Sequence, residues 1–141
     1  MKEPIWLTED LVKALHDRQV AEHGGTAGLR DQPLLESALA RAQQLFAYGD
    51  GVDIPAMAAA YAYGISRNYA FLDGNKRTAT VCCEVFMELN SFLLLADDAD
   101  FYTAIMSLAT GEISEDQFAT WLRSNSRPEG VNEGLLGYGS D

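Results

Sequence analysis

A run of small side chains constrains the fold of this chain more than any other feature of its sequence. The run lies between Pro55 and Ser66, and its members are Ala56, Ala58, Ala59, Ala60, Ala62 and Gly64. Alanine is the strongest helix former, and small side chains let neighbouring backbones approach closely. The run therefore predicts a helix over 57–66, opened by Pro55, at the centre of the molecule.

Five further segments carry the apolar spacing of amphipathic helices, with a repeat of three to four residues. A residue that favours the N-cap position precedes four of them: Thr8, Asp31, Asp97 and Ser114. Ser114 and Gln117 also have the spacing of a capping box. Glycines at 24–25 and at 49–51 end the first two helices. The sequence thus predicts six helices, the fourth of them over 74–90.

Strand patterns are almost absent. No alternation of apolar and polar residues persists beyond a few positions, and no internal repeat is visible. One small β-hairpin has room to form, around 48–52 or 92–95. The expected fold class is therefore a compact all-α bundle.

The length of 141 residues fits one domain. Apolar residues become sparse after Arg123, which predicts a domain at 1–123 and a flexible C-terminal tail at 124–141. The apolar runs are too short to span a bilayer, and the first residues lack the pattern of an export signal. We therefore expect a cytoplasmic protein without a membrane segment.

The charge balance bears on partners. Ten Lys and Arg residues against 21 Asp and Glu residues give a formal net charge of −11. This field repels a polyphosphate backbone, so direct binding to nucleic acid is disfavoured.

Cys82 and Cys83 are adjacent on a predicted helix and lack metal-site spacing, which indicates buried thiols. His16 and His23 lack a ligand partner, and we expect them at the surface or in a local hydrogen bond.

The segment 68–78 concentrates the chemistry of a phosphate site just before an apolar helical run. If Asp73 caps the fourth helix, the N–H groups of Gly74, Asn75 and Lys76 point out of its first turn, where an anion is stabilised. Lys76 adds a point charge, and Arg77 adds a planar fork that suits two phosphate oxygens. Cations are disfavoured at a helix start by the helix dipole, so their presence there indicates a negative ligand.

The expected ligand is a nucleoside triphosphate together with a divalent cation. Asp73 is the one carboxylate in this loop that could hold a divalent cation bridging the phosphates. Neither a Walker loop nor a Gly-x-Gly-x-x-Gly turn occurs in the chain, which disfavours the familiar nucleotide-binding folds.

Structural roles compete with this interpretation at each position. Asp73 is explained equally by a helix cap, Arg77 by an ion pair with Glu84 or with Asp73, and Asn75 by a turn. The combination of Lys76 and Arg77 favours the phosphate site.

The same loop resembles a known signature. Residues 71–78 resemble the signature loop of the Fic/Doc superfamily, which reads His-x-Phe-x-Asp/Asn-Gly/Ala-Asn-Lys-Arg-Thr in the Doc branch. Other segments resemble the Doc branch as well: Gly28 to Asp31, Leu34 to Arg41, Gln44 to Tyr48 and Gly111 to Glu115. The resemblance spans Trp6 to Arg123.

The resemblance implies a small α-helical Fic/Doc fold and the toxin of a toxin–antitoxin pair, with a Phd-like antitoxin as partner. In the Doc branch the γ-phosphoryl group of ATP is transferred to a threonine of a translation elongation factor, so the resemblance implies ATP and Mg²⁺ as ligands. The larger branch instead transfers AMP and carries a second Gly where this chain has Lys76. Lys76 therefore favours the kinase reaction over the alternative of AMP transfer.

The chain departs from the motif at its first position, where Tyr69 replaces the His that acts as general base. An ordinary phenol has a pKa of about 10, so on the order of one phenol group in a thousand is ionised at pH 7. The resemblance thus implies impaired transfer. Three accounts stay open: a substitution introduced so that a toxic chain can be produced, a natural inactive relative that serves as a binding module for antitoxin or nucleotide, or an enzyme that uses Tyr69 as acceptor.

Overall fold

A computed structural model describes residues 1–129, which form six α-helices and one two-stranded sheet. In chain order the elements are α1 (Glu9–His23), α2 (Gln32–Tyr48), α3 (Ile54–Asn68), α4 (Asn75–Leu89), β1 (Phe92–Leu94), α5 (Asp98–Thr110), α6 (Glu115–Ser124) and β2 (Ser126–Pro128). The fold class is therefore mostly α, as the sequence predicts.

Helix α3 lies at the centre of the bundle, where it packs against α2, α4, α5 and α6. It is longer at both ends than the predicted helix over 57–66, and most of its residues are buried. A Cβ placed on Gly64 would lie 2.9 Å from the Cα of Ala38, closer than real Cβ contacts allow. The absence of a side chain at Gly64 therefore lets α2 and α3 touch through their backbones, which confirms the central position of the small-residue helix.

The predicted N-caps are confirmed at four helices. The side chains of Thr8, Asp31, Asp97 and Ser114 each accept a hydrogen bond from the backbone N–H three residues on. Ser114 and Gln117 form the predicted capping box in full. Asp53 caps α3 in the same way.

The structure has one small antiparallel sheet, at the second of the two places expected for a hairpin, but its two strands are not neighbours in the chain. The first candidate, 48–52, contains the end of α2 and a loop. The second, 92–95, does contain a strand, β1, but β1 pairs antiparallel with β2 rather than with a neighbouring segment, in a register that joins Phe92 to Pro128. Helices α5 and α6 lie between the two strands in the chain, so no local turn signal marks the pairing.

Strand β2 also bears on the predicted tail. The predicted boundary between 123 and 124 falls inside α6, and β2 follows it directly. The backbone N–H of Glu129 donates to the carbonyl of Ser91 at 2.7 Å. The remainder of the predicted tail, 130–141, lies outside the described residues.

The two cysteines lie on α4 as free thiols, fully buried, which confirms the prediction. Burial raises the pKa of both thiols well above the ordinary range, so they stay protonated. None of the described helices has the length and apolar character needed to cross a membrane.

Candidate functional site

The loop that joins α3 to α4 is held against the segment between α1 and α2. Leu29 and Phe71 form an isolated antiparallel bridge. The N–H of Leu72 donates to the carbonyl of Gly28 at 3.0 Å, and the N–H of Arg30 donates to the carbonyl of Ala70 at 2.7 Å. These backbone bonds join two parts of the chain that are about forty residues apart, and they fix the loop before α4 begins.

Tyr69 ends α3 in a left-handed conformation, with φ of 53° and ψ of 46°. This conformation is uncommon for a residue with a side chain and persists where the surroundings impose it. Arg30 holds the backbone at this point: its Nε donates to the carbonyl of Tyr69 at 2.6 Å and its Nη2 donates to the carbonyl of Asn68 at 3.3 Å. The Tyr69 side chain is 49% exposed.

Asp73 does not cap α4, and this prediction is wrong. The N-cap residue is Gly74, which is left-handed with φ of 74° and offers no side chain to the helix. The Asp73 carboxylate instead accepts from the N–H of Gly74 at 2.8 Å and from the N–H of Thr26 at 3.2 Å. It closes the turn before the helix, and the N–H of Gly74, predicted to be free, is consumed by it.

The side chain of Asn75 has a structural role, which is the alternative that the sequence leaves open. Its side chain is buried and faces backward, where Nδ2 donates to the carbonyl of Phe71 at 3.0 Å and Oδ1 accepts from the N–H of Phe71 at 3.1 Å. The amide therefore holds the loop rather than a ligand. Only the backbone N–H of Asn75 remains for phosphate.

The first turn of α4 has the predicted free donors, shifted by one residue. The first intrahelical bond runs from the N–H of Thr78 to the carbonyl of Gly74 at 2.9 Å. The N–H groups of Asn75, Lys76 and Arg77 precede it and have no acceptor within residues 1–129. Such a turn stabilises an anion through three donors and the positive end of the helix dipole.

Lys76 and Arg77 keep their charges available. Neither side chain forms an ion pair with any carboxylate of the described segment, so the competing salt bridges of Arg77 with Glu84 or Asp73 do not form. The Lys76 ammonium lies 5.9 Å from the centre of the Tyr69 ring, and the Arg77 guanidinium lies 4.4 Å from the centre of the Tyr102 ring. Each cation therefore rests on an aromatic face.

All six predicted site residues line one cavity of about 410 Å³. They are Tyr69, Asp73, Gly74, Asn75, Lys76 and Arg77, and the wall is completed by His23, Gly24, Leu72 and Tyr102. Cavities of about 340 Å³ occur elsewhere, such as the one beside Arg41 and Tyr48. Volume alone does not distinguish this cavity. Its distinguishing feature is that it combines amides and two cations that have no partner in the described part of the chain.

His16 was predicted at the surface or in a local bond, and this is wrong. Its ring is 1% exposed and stacks on Phe71 at a centroid distance of 3.9 Å. Its Nε2 lies 2.8 Å from the carbonyl oxygen of Asp73, which can only accept, so Nε2 carries the proton and donates. His16 thus holds the loop from below. His23 is exposed, as predicted, at the cavity rim.

A second cavity of about 340 Å³ shares His23, Arg77 and Tyr102 with the first, and its other side is acidic. Glu22, Glu84 and Asp98 lie there. Burial, and then the neighbouring carboxylates of Glu88 and Asp98, raise the pKa of Glu84. Carboxylates therefore line the cavity on one side of Arg77, and an anion would be repelled there more than in the cavity that Lys76 lines.

With this geometry in view, comparison with known proteins assigns the family. A sequence model of the Fic/DOC family matches residues 6–87, which is more than half of the chain and includes the whole loop. The chain belongs to the Fic/DOC family.

Two relatives place it in the Doc branch. "Protein kinase doc" of Escherichia phage P1 is 33% identical over 115 residues, which cover 82% of this chain and 90% of the relative. "Toxin Doc" of Mycolicibacterium smegmatis is 39% identical over 105 residues, which cover 70% and 78%.

Membership of the Fic/DOC family confirms the resemblance, and the relatives make this chain a homologue of Doc toxins. The residues that sequence reasoning missed are those that hold the loop or complete the cavity: His16, Arg30 and Tyr102. Arg30 lies in one of the segments that resemble the Doc branch, but the resemblance assigns no function to this residue. The partners of His16 and Tyr102 are distant in sequence, and no local pattern indicates them.

Proposed function

We propose that this Fic/DOC protein is the toxin of a toxin–antitoxin pair, built to transfer the γ-phosphoryl group of ATP to a hydroxyl of a translation elongation factor. We propose further that Tyr69 impairs this transfer. The observation that carries the proposal is the first turn of α4, where three N–H groups and two cations that have no partner within residues 1–129 border one cavity. The relatives named "Protein kinase doc" and "Toxin Doc" support the reaction type and the biological role.

The residues present fit a nucleoside triphosphate. The N–H groups of Asn75, Lys76 and Arg77 suit phosphate oxygens, and the side chains of Lys76 and Arg77 supply charge-assisted bonds. Phosphoryl transfer needs positioning and charge stabilisation more than covalent chemistry. This donor set provides both.

The residues also fit Mg²⁺, with Asp73 as the protein ligand. Within residues 1–129 no group of three His, Cys, Asp or Glu side chains could hold a metal by itself. Magnesium commonly binds through one carboxylate together with substrate phosphates and water. Each Asp73 oxygen accepts one hydrogen bond and keeps a further lone pair. The ion would neutralise negative charge on the phosphates.

Lys76 favours phosphoryl transfer over AMP transfer. Its ammonium lies 5.9 Å from the centre of the Tyr69 ring and its side chain lines the cavity, where it would crowd a second phosphate and add charge beside the one that is transferred. The cation lies where the resemblance places glycine in AMP-transferring relatives.

Replacement of Tyr69 tests the proposed impairment. Tyr69→His restores an imidazole at the base position, and general base catalysis contributes about a hundredfold to ten-thousandfold. We expect Tyr69→His to arrest bacterial growth on induction and to label a lysate protein of elongation-factor size from γ-labelled ATP. The matched control is Tyr48→His, because Tyr48 is 88% exposed beside a different cavity. Equal labelling of the lysate protein by wild type and by Tyr69→His would contradict the impairment.

A second function, a binding module without catalysis, is favoured by Tyr69 itself. The N–H groups of Asn75, Lys76 and Arg77 form the proposed phosphate cradle. An exposed phenol at the base position leaves this cradle intact, whereas the imidazole base is missing. A Tyr69→His chain that binds ATP and leaves both growth and lysate proteins unaffected would establish the module in place of the enzyme.

The proposed partner is a Phd-like antitoxin, and the proposed compartment is the cytoplasm, where elongation factors act. The net charge of −11 suits a partner segment with basic residues that orders on binding. We expect an adjacent reading frame to encode a short DNA-binding protein with such a segment. Co-expression of that protein should suppress the growth arrest caused by Tyr69→His, and failure to do so would remove it as the antitoxin.

A further inference from the structure

The hydroxyl of Tyr69 is a nucleophile delivered to the candidate site by the chain itself. The side chain is half exposed, lines the cavity with Lys76 and Arg77, and holds its ring 5.9 Å from the Lys76 ammonium. Its hydroxyl forms no hydrogen bond with any group of residues 1–129, whereas the Tyr61 hydroxyl accepts from the N–H of Leu7. Tyr69 is therefore free at the group that could react.

The backbone holds this side chain in place. Two bonds from Arg30 fix the carbonyls of Asn68 and Tyr69, and the Tyr69 side chain lines the same cavity as the first turn of α4. A tyrosine places its oxygen farther from the backbone than an imidazole places its nitrogen. The phenol oxygen thus reaches toward the space that an incoming substrate hydroxyl would need.

Loss of the imidazole base matters less for a phenol than for the hydroxyl of serine or threonine. A phenol is a stronger acid than an aliphatic alcohol, so it gives up its proton more readily as the new bond forms. A nucleophile held beside its target also gains from proximity, since well-oriented groups react as though present at a very high concentration. Both effects favour an acceptor within the chain over an external protein.

We propose that Tyr69 is an acceptor for the γ-phosphoryl group of a nucleoside triphosphate bound at the first turn of α4. The Tyr69 oxygen forms a bond to the γ-phosphorus, and the bond between that phosphorus and the β–γ bridging oxygen breaks. The nucleoside diphosphate leaves with that electron pair, and the phenolic proton passes to water. This inference rests on the proposed function, because it requires a triphosphate in the cradle.

The product has a physical consequence. A phosphotyrosine carries a charge of about −1.5 to −2 near neutral pH. At position 69 this charge lies beside Lys76 and within the cavity that ends at the α4 amides. It therefore occupies the cradle, and the modified chain should bind nucleotide about tenfold or more weakly than the unmodified chain. The modification limits itself to one phosphoryl group per chain.

The experiment has two measurements on the full chain. Calorimetry with a non-hydrolysable ATP analogue and Mg²⁺ measures binding by the wild-type chain. Incubation with ATP labelled at the γ or the α position, followed by intact mass and peptide mapping, measures modification. We expect binding, one phosphoryl group on Tyr69 from γ-labelled ATP, and a labelled fraction per chain that is independent of protein concentration. Tyr69→Phe should lose the label, whereas Tyr48→Phe should keep it.

Each other outcome has a defined meaning. Binding without any label on Tyr69 overturns the inference and leaves the proposed nucleotide site standing. Absence of binding and of label overturns both. Label from the α position, or labelling that rises with protein concentration, overturns phosphoryl transfer within the chain.

Discussion

The starts of α4 and α6 are built in opposite ways. Ser114 and Gln117 close the start of α6 with a reciprocal capping box, and Glu115 and Asp116 complement its dipole. Helix α4 starts at Gly74 without a side-chain cap, leaves three N–H groups free, and has Lys76 and Arg77 in its first turn. At the start of α6, side chains of the same helix bind the N–H groups and balance the dipole. At the start of α4, both are left for a ligand.

The contrast shows where the stability of the α4 start comes from. Its loop is held from behind by Asn75 on Phe71, by His16 on Asp73, and by the bonds of Asp73 to Thr26 and Gly74. None of these bonds uses the N–H groups of Asn75, Lys76 or Arg77. The loop is rigid on its protein side and open on its cavity side, which is the arrangement that ligand binding favours.

The largest expected effect follows from removal of the two cations. The double variant Lys76→Gln with Arg77→Gln should weaken binding of ATP and Mg²⁺ at least about a hundredfold, because each charge-assisted hydrogen bond contributes about 1.5–3 kcal/mol. Its free energy of unfolding should stay equal or rise by about 0.3–1 kcal/mol, since cations oppose the dipole at a helix start. Calorimetry and urea unfolding measure the two quantities.

The matched control is Lys13→Gln with Arg18→Gln on α1, which removes the same two charges outside the cavity. If the control weakens ATP binding as much as the double variant does, the effect comes from net charge, and the contrast between the two helix starts loses its functional meaning.

The next effect concerns the support behind α4. Asn75→Ala should lower the free energy of unfolding by about 2–4 kcal/mol, because it leaves the buried N–H and carbonyl of Phe71 without partners. Removal of the cap from α6 by Ser114→Ala should cost about 1 kcal/mol. Urea unfolding compares the two. A smaller loss for Asn75→Ala than for Ser114→Ala would show that the backward bonds do not hold the α4 start.

Two substitutions at His16 separate the effect of its aromatic ring from the effect of its hydrogen-bond donor. His16→Phe keeps an aromatic stack on Phe71 and loses the donor to the carbonyl of Asp73, while His16→Gln keeps an amide donor and loses the stack. Each should cost about 1 kcal/mol of stability. We expect only His16→Phe to weaken ATP binding, by a few fold, because the loop shifts. Equal affinity in both variants would reduce His16 to a core residue.

The smallest effect is at α3, whose cap is itself bound. The Asp53 carboxylate caps α3 and receives two bonds from the Arg123 guanidinium, at 2.7 and 3.0 Å. Burial raises the pKa of Asp53, but the bonds from Arg123 and from the Ala56 N–H outweigh it, so the pKa lies below its ordinary value of 3.8.

A depressed pKa in the folded state means that this stabilisation is complete above pH 3.8 and is lost as the pH falls through the folded value. Both side chains are more than a third exposed, so solvent screening limits the pair to about 0.5 kcal/mol. We expect Arg123→Gln to lower the free energy of unfolding by that amount at neutral pH and to have no effect at strongly acid pH. A difference that persists in acid would contradict the ionic origin.

Much of the fold follows from local sequence, and the reasons are physical. Caps such as Thr8 and Ser114 act over three residues, and the small residues of α3 act through helix propensity and close packing, so both are visible in the sequence. The pairing of β1 with β2 depends on how α5 and α6 return the chain. No local pattern carries that information.

The candidate site divides in the same way. The loop residues from Tyr69 to Arg77 are contiguous, and the sequence brings them together by itself. The Asp73 side chain can either cap the helix or close the preceding turn. The Asn75 side chain can contact either a ligand or the backbone. Tertiary contacts decide between these alternatives, and the sequence does not show them. His16 and Tyr102 reach the site from α1 and α5, so only the assembled bundle shows them.

The central claim is that the first turn of α4, and no capped helix start, binds the phosphates of ATP. Amide chemical shifts recorded during titration of the ¹⁵N-labelled chain with ATP analogue and Mg²⁺ test it most directly. The account predicts the largest shifts at the N–H groups of Asn75, Lys76 and Arg77, with the first turn of α6 unchanged. Shifts centred on the cavity beside Arg41 and Tyr48, or none at α4, would contradict it.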